Sequence, residues 1–215
     1  MIDITILSSD KGHPVFRVLE KWSQNPGKDI KASLVNNINS IKAGGDILFL
    51  ISCSEIVPLS VRSKFKDTLV IHASNLPFGR GWSPHIWQII NGADEITISL
   101  LEAEDKVDTG KIWKQVNVKL QGNELFDKIN NVLFDEELKL IEWACKNYGN
   151  ISPQAQQDTK ATYYPKRTSQ DSRIDIHESI ESQFNLLRVC DPNRFPAFFI
   201  KDGKRYKLII ENYDE

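Results

Sequence analysis

The sequence predicts an α/β fold: a mostly parallel sheet covered by helices, with a short C-terminal helix and a β-hairpin appended. Three observations carry this. Short apolar runs alternate with stretches whose apolar residues recur at helical spacing. The strongest run, Asp46-Ile47-Leu48-Phe49-Leu50-Ile51, is continuously apolar after its first residue, as in strands buried on both faces. Turn residues such as Pro26-Gly27, Asn91-Gly92 and Asp202-Gly203 separate the elements.

Ile2 to Leu7 reads as a buried first strand. The loop Ser8 to Pro14 leads into a helix with Val15, Val18, Leu19 and Trp22 on one face. This strand–loop–helix start suits a Rossmann-like domain. Trp22 to Gly45 is polar, with one strand or turn and a helix over Lys31 to Ala43. After the central run comes a loop, Ser52 to Pro58, then a short helix from Leu59 to Phe65. Thr68 to Ile71 is a strand ending on His72. A Pro/Gly loop follows, and Ser83-Pro84 reads as the cap and first turn of a helix carrying Ile86, Ile89 and Ile90. Ile96 to Leu101 and Ile112 to Leu120 are strands, and Asn123 caps a long helix to about Tyr148.

Residues 1–150 then form one catalytic-size domain, and 151–215 a small extension. In the extension, Ile151 to Asp175 reads as an extended surface segment, Glu178 to Val189 as an amphipathic helix, and Phe195 to Ile200 with Arg205 to Ile210 as a hairpin.

Composition narrows the function classes. The chain of 215 residues is 40% hydrophobic and 26% charged, ordinary for a soluble globular protein. A net charge of −2 argues against a general nucleic-acid binder. No run approaches the roughly 18 apolar residues of a membrane span, and the N-terminus lacks the basic start of a signal peptide. Cys53, Cys145 and Cys190 are scattered and odd in number. That pattern points to a reducing cytoplasm and to no disulfide framework or metal site. Neither G-x-G-x-x-G nor a Walker motif occurs, so neither NAD nor ATP is implied.

The chemistry-bearing stretch runs from Val70 to Gly110. His72 and Asp108 each follow a predicted strand, and in open α/β sheets ligands bind beyond the carboxyl ends of strands. His72-Ala73-Ser74-Asn75-Leu76-Pro77, then Gly81, Asn91-Gly92 and Val107-Asp108-Thr109-Gly110, resembles the signature of the folate-dependent formyltransferases. That family includes methionyl-tRNA formyltransferase, glycinamide ribonucleotide transformylase and the sugar N-formyltransferases.

The resemblance implies N10-formyltetrahydrofolate as co-substrate. It assigns His72 to oxyanion stabilisation, and Asp108 to orienting that histidine and moving protons. The family's asparagine two residues before the histidine is Val70 here, which cannot donate a hydrogen bond. Asn75 is either its substitute or a loop residue that caps a turn. Ser54, Glu55, Ile56 and Val57, with Asp105, fall where the family holds folate, mostly through backbone groups. Ser9 and Lys11 in the first loop, and Arg80 and Trp82 in the glycine-flanked loop, are placed to hold the acceptor. Tyr164, Lys166 and Arg167 stand in a segment, Tyr164 to Asp175, that resembles the Y-x-K-R-x-x-x-D-x-x-I-D run of the sugar enzymes.

The expected acceptor is therefore a UDP- or dTDP-linked amino-dideoxy sugar for surface glycans, with no nucleic-acid or membrane partner and with a homodimer favoured. Two alternatives stand beside it. One is another amine, on aminoacyl-tRNA or a carrier. The other is a non-catalytic folate or nucleotide-sugar binder, suggested by Val70.

Overall fold

β1 (Ile2–Leu7) and β3 (Gly45–Leu50) lie side by side at the heart of one sheet, and their aliphatic residues are almost wholly buried. The structure is a computed structural model that describes residues 1–157 and 160–213. Asp158 and Thr159 of the expected extended segment, and Asp214 and Glu215 of the extension, lie outside the described residues.

β2 (Ile30–Val35) and β4 (Phe65–His72) complete the parallel half. β6 (Glu95–Glu102) pairs antiparallel with β4, and β7 (Ile112–Lys119) antiparallel with β6. The sheet order is β2-β1-β3-β4-β6-β7. α1 (Pro14–Ser23) and α4 (Phe126–Asn147) put Leu19, Ile129, Leu133 and Ile141 into the main core with Ile4, Phe49 and Ile98.

Several expectations differ from the structure. Lys31 to Ala43 is not a helix: its first part is β2, followed by a single 3-10 turn at Ile38–Ser40. Ile30, Ala32 and Leu34 alternate with exposed Lys31 and Ser33, and parallel pairing with β1 selects that two-residue period. Ser83 is the N-cap residue of α3 (Pro84–Ile90) and Pro84 opens its first turn as expected, but Ser83 sits at φ 45° and its side chain makes no capping bond. α4 begins after Leu125 rather than Asn123, because the Glu124 carboxylate accepts from the N–H groups of Gln121 and Gly122 and holds a turn there. Glu178 to Val189 is helical only at α5 (Phe184–Arg188). Ahead of it, Ser182 and Gln183 bond the Ser179 and Asp175 carbonyls, local bonds that compete with a helix. The predicted helix from Leu59 to Phe65 also shortens, to α2 (Leu59–Arg62), because Phe65 opens β4.

The hairpin forms as β9 (Ala197–Lys201) and β10 (Lys204–Leu208). Asp202 and Gly203 both take positive φ, as its two-residue turn requires. The long polar segment before it is not a free surface strand. Tyr163–Tyr164 (β8) pairs with Arg80–Gly81 (β5), and Gln154 bridges Ile112. This strap closes over the loops that carry His72 and Asp108. No helix among the described residues is long and apolar enough to cross a membrane.

Candidate active site

His72 is the last residue of β4 and is buried. Its Nε2 lies 2.8 Å from the Gly79 carbonyl. A carbonyl only accepts, so Nε2 carries the proton, and in the neutral ring Nδ1 is a bare acceptor. Nδ1 faces Asp108 Oδ1 at 3.7 Å, beyond hydrogen-bond length. A second proton on Nδ1 would face the Asp108 carboxylate.

Asp108 reaches this place by a route that strand order does not suggest. β6 runs antiparallel to β4, so its carboxyl end pairs with Leu69, short of His72. The loop from Ala103 to Gly110 carries the chain back. Asp108 sits in the left-handed region, φ 56°, and its Oδ2 accepts from Gly81 N at 2.9 Å. Gly110 lets the loop pass close to β6: a Cβ there would stand 1.9 Å from the Glu102 carbonyl oxygen.

The strap locks both loops. Gln156 Nε2 donates to the Asp108 and Gly110 carbonyls at 3.0 and 2.8 Å. Its Oε1 accepts from Arg80 Nη2 at 2.7 Å, and Arg80 Nη1 bonds the Tyr163 hydroxyl. Thr162 Oγ1 accepts from Gly79 N at 2.8 Å. Tyr164 stacks on Trp87 and covers Gly79 and Gly81. A Cβ on Gly81 would meet the Tyr164 carbonyl at 2.5 Å, so these glycines admit the strap.

The expected acceptor contact of Arg80 is thereby corrected. Arg80 is 1% exposed, and its guanidinium is committed to Gln156 and Tyr163. Tyr164 likewise packs on the domain. Asn75 is exposed, accepts from Gln115 Nε2 at 3.3 Å, and does not line the cavity beside His72. Val70, where the family pattern has asparagine, packs against an apolar cluster with Leu48 and Leu50.

That cavity, about 350 Å³, is lined by His72. Ser54, Trp82, Lys166 and Arg167 line it among the predicted residues. Lys166 Nζ lies 4.6 Å over the Trp82 ring, and Arg167 is buried with Nη2 on Ser172 Oγ. Ser9 stands behind, its hydroxyl accepting from Ser54 N at 2.7 Å, and Lys11 is exposed on the same loop.

The predicted folate residues form a second group. Glu55 accepts from Ile38 N, and Val57 is buried. Ile56 is 82% exposed. Arg62 ties this loop to the acidic one: it donates to the Val57 and Ala103 carbonyls and pairs with Asp105. Both joined loops present an exposed aliphatic side chain, Ile56 and Val107.

Sequence reasoning missed Arg62, Gln156, His85 and Glu137. Gln156 and Arg62 are ordinary polar residues until partners remote in sequence surround them. His85 and Glu137, on α3 and α4, line the cavity, each with one fully buried polar atom. Glu137 reads in sequence as part of a solvated helix face. His13, read as structural, caps α1 through Nδ1 on Val15 N. Burial lowers its pKa to about 4, helped by Arg194.

A buried histidine–aspartate pair thus stands at the carboxyl end of an interior strand of an α/β sheet, with a cavity beside the histidine. The chain belongs to the formyl transferase family, whose model matches residues 6–144. It is 27% identical over 176 residues to methionyl-tRNA formyltransferase of Streptococcus mutans, an alignment covering 80% of this chain and 55% of that protein. The chain thus spans about half the length of the curated relatives it matches. Among solved structures, methionyl-tRNA formyltransferase from Clostridium thermocellum superposes with a TM-score of 0.83 at 19% identity, over 100% of this chain and 94% of that one. A sugar N-formyltransferase from a Shewanella species gives 0.69 at 16%, over 100% and 99%. HypX from Aquifex aeolicus with tetrahydrofolic acid gives 0.76 at 19%, over 97% and 37%. These likenesses show the formyltransferase fold.

Proposed function

We propose that this enzyme moves the formyl group of N10-formyltetrahydrofolate to the free amino group of a nucleotide-linked amino sugar. The observation that carries the reading is the cavity beside His72 and Asp108. It joins an aromatic–cation pair, Trp82 and Lys166, to a buried guanidinium, Arg167. A stacking surface with cations suits a nucleotide base and its phosphates. The sugar amine would then lie toward His72.

The donor supplies the formyl carbon. Its pterin would rest between Ile56 and Val107, on the loops that Arg62 joins. The acceptor amine must attack as the free base, and nitrogen must shed a proton as the new C–N bond forms. His72 Nδ1 is the bare base that can take it, Asp108 then faces the imidazolium, and the proton passes on to N10 of the folate as the formyl C–N10 bond breaks. The oxyanion requires a donor that Val70 cannot be. His72 in its protonated form is the group placed to serve. A cytoplasmic location goes with this reading, since the three cysteines are free.

The test mixes the protein with N10-formyltetrahydrofolate and a panel of UDP- and dTDP-linked 3-amino and 4-amino sugars. Mass spectrometry looks for the gain of one CO. A gain lost in His72→Ala supports the reading. Formylation of methionyl-tRNA in place of every sugar would overturn the acceptor. Binding of donor and sugar without turnover would mark a non-catalytic binder.

A further inference from the structure

The cavity has a floor that the catalytic pair does not use. On α4, Phe126, Asn130 and Glu137 share one face at spacings of four and seven residues, and all three line the cavity. His85 faces it from α3. Glu137 Oε2 and His85 Nδ1 are each fully buried, and neither has a hydrogen-bond partner among the described residues. Native proteins leave few such atoms, because each forfeits its bond to water without replacement. Two of them, from separate helices and in one cavity, call for a group that arrives from outside.

We propose that Glu137 and His85 form the acceptor subsite that grips a neutral polar group, a hydroxyl or an amide, on the ring that carries the amine. The proposal rests on the amino-sugar reading and sharpens it.

Charge selects the ligand class. Burial raises Glu137 to about 8 and lowers His85 to about 3, the latter helped by His13, His72 and Arg167. Near neutral pH both groups are therefore uncharged. A carboxylic acid and a neutral imidazole each offer donor or acceptor atoms to hydroxyl or amide groups. Phosphates have Arg167 and Lys166 instead. A methionyl side chain brings only a thioether, a weak acceptor, and would leave both atoms bare. A sugar ring brings several hydroxyls. The floor is thus polar where a methionyl pocket would be apolar.

The experiment uses Glu137→Leu, His85→Leu and Glu137→Gln in the full chain, with the nucleotide amino-sugar panel and methionyl-tRNA as acceptors. On the sugar that wild type formylates, each leucine variant is expected to raise the acceptor KM at least tenfold while the donor KM holds. Glu137→Gln, still able to hydrogen bond, recovers most of that loss. A second readout needs no acceptor. An orphaned carboxyl does not stabilise the empty protein, so the Tm of Glu137→Leu should equal or exceed that of wild type.

Sugar turnover with an unchanged acceptor KM overturns the subsite and leaves the amino-sugar reading standing. A Tm lower by several degrees shows that Glu137 serves the fold, which also overturns it. Methionyl-tRNA as the acceptor, or no turnover on any acceptor, removes the reading and the subsite together.

Discussion

The two flanks of His72 are built on opposite principles. On the strap side, Gln156 serves two carbonyls and the Arg80 guanidinium, Gly81 N serves Asp108, and Thr162 serves Gly79. On the helix side, polar atoms of His85 and Glu137 are buried without partners among the described residues. A satisfied network has one low-energy arrangement and therefore positions. Unsatisfied groups cost stability in the free protein and regain it only when a ligand supplies the missing bonds. The strap side orients the reacting pair, and the helix side is available to select what meets it.

The sharpest way to break this contrast is at the pair itself. His72→Ala and Asp108→Asn should each lower kcat for formyl transfer by about 100-fold or more, the usual cost of one group that stabilises developing charge. Asparagine tolerates the left-handed backbone at 108, so Asp108→Asn isolates the loss of charge from strain. Steady-state kinetics on the accepted amine, with circular dichroism to confirm folding, decides it.

Next in size is Gly81→Ala. The residue has φ 98°, and its new Cβ would collide with the Tyr164 carbonyl. The strap should lift, at a cost of roughly 2–4 kcal/mol in urea unfolding. Unchanged stability would mean that the strap does not seat on this loop.

Gln156→Ala strands the Asp108 and Gly110 carbonyls, so about 1–3 kcal/mol of stability should go, with kcat falling roughly tenfold. A loss of stability with kcat intact would reduce Gln156 to a clip that does not orient Asp108.

The helix side predicts a pH effect. Glu137 titrates near 8 in the folded protein, above its ordinary value of 4.5. Between those values the folded state holds a proton that the unfolded state has lost. Its contribution is therefore fully present below about 4.5 and is lost as pH rises toward 8. His13 and His85 have lowered values, so their contribution is present above 6.5 and lost as pH falls toward 4 and 3. Thermal melts of Glu137→Gln should lose the decline on the alkaline side and keep the acid one.

The smallest effect is expected at Arg62→Met, which loosens the two donor loops without touching the pair. Roughly a three- to tenfold rise in donor KM at constant kcat follows from one or two lost hydrogen bonds.

Much of this was legible in the chain. Buried strands declare themselves through local apolar runs, and Ile2–Leu7 matches its prediction residue for residue. His72 and Asp108 were found because their neighbours form a spaced pattern. β2 was misread because Lys31 to Val35 lacks a dense apolar run; its period is chosen by the strand beside it.

Arg80 shows the other limit. In sequence it is an arginine between two glycines, which suggests a ligand contact. Its partners Gln156 and Tyr163 lie 76 and 83 residues away, and only folding brings them to it. Glu137 reads as one more charge on an amphipathic helix, yet its Oε2 is buried once the chain folds.

By itself, then, the sequence determined the apolar strands and the helices of the main core and singled out His72 and Asp108 as candidates, because these follow from short-range periodicity and local motif spacing. The tertiary structure decided the direction of β6, the burial of Arg80, the lock through Gln156 and the polar floor of the cavity. Those depend on which distant surfaces exclude water from one another, and no local pattern records that.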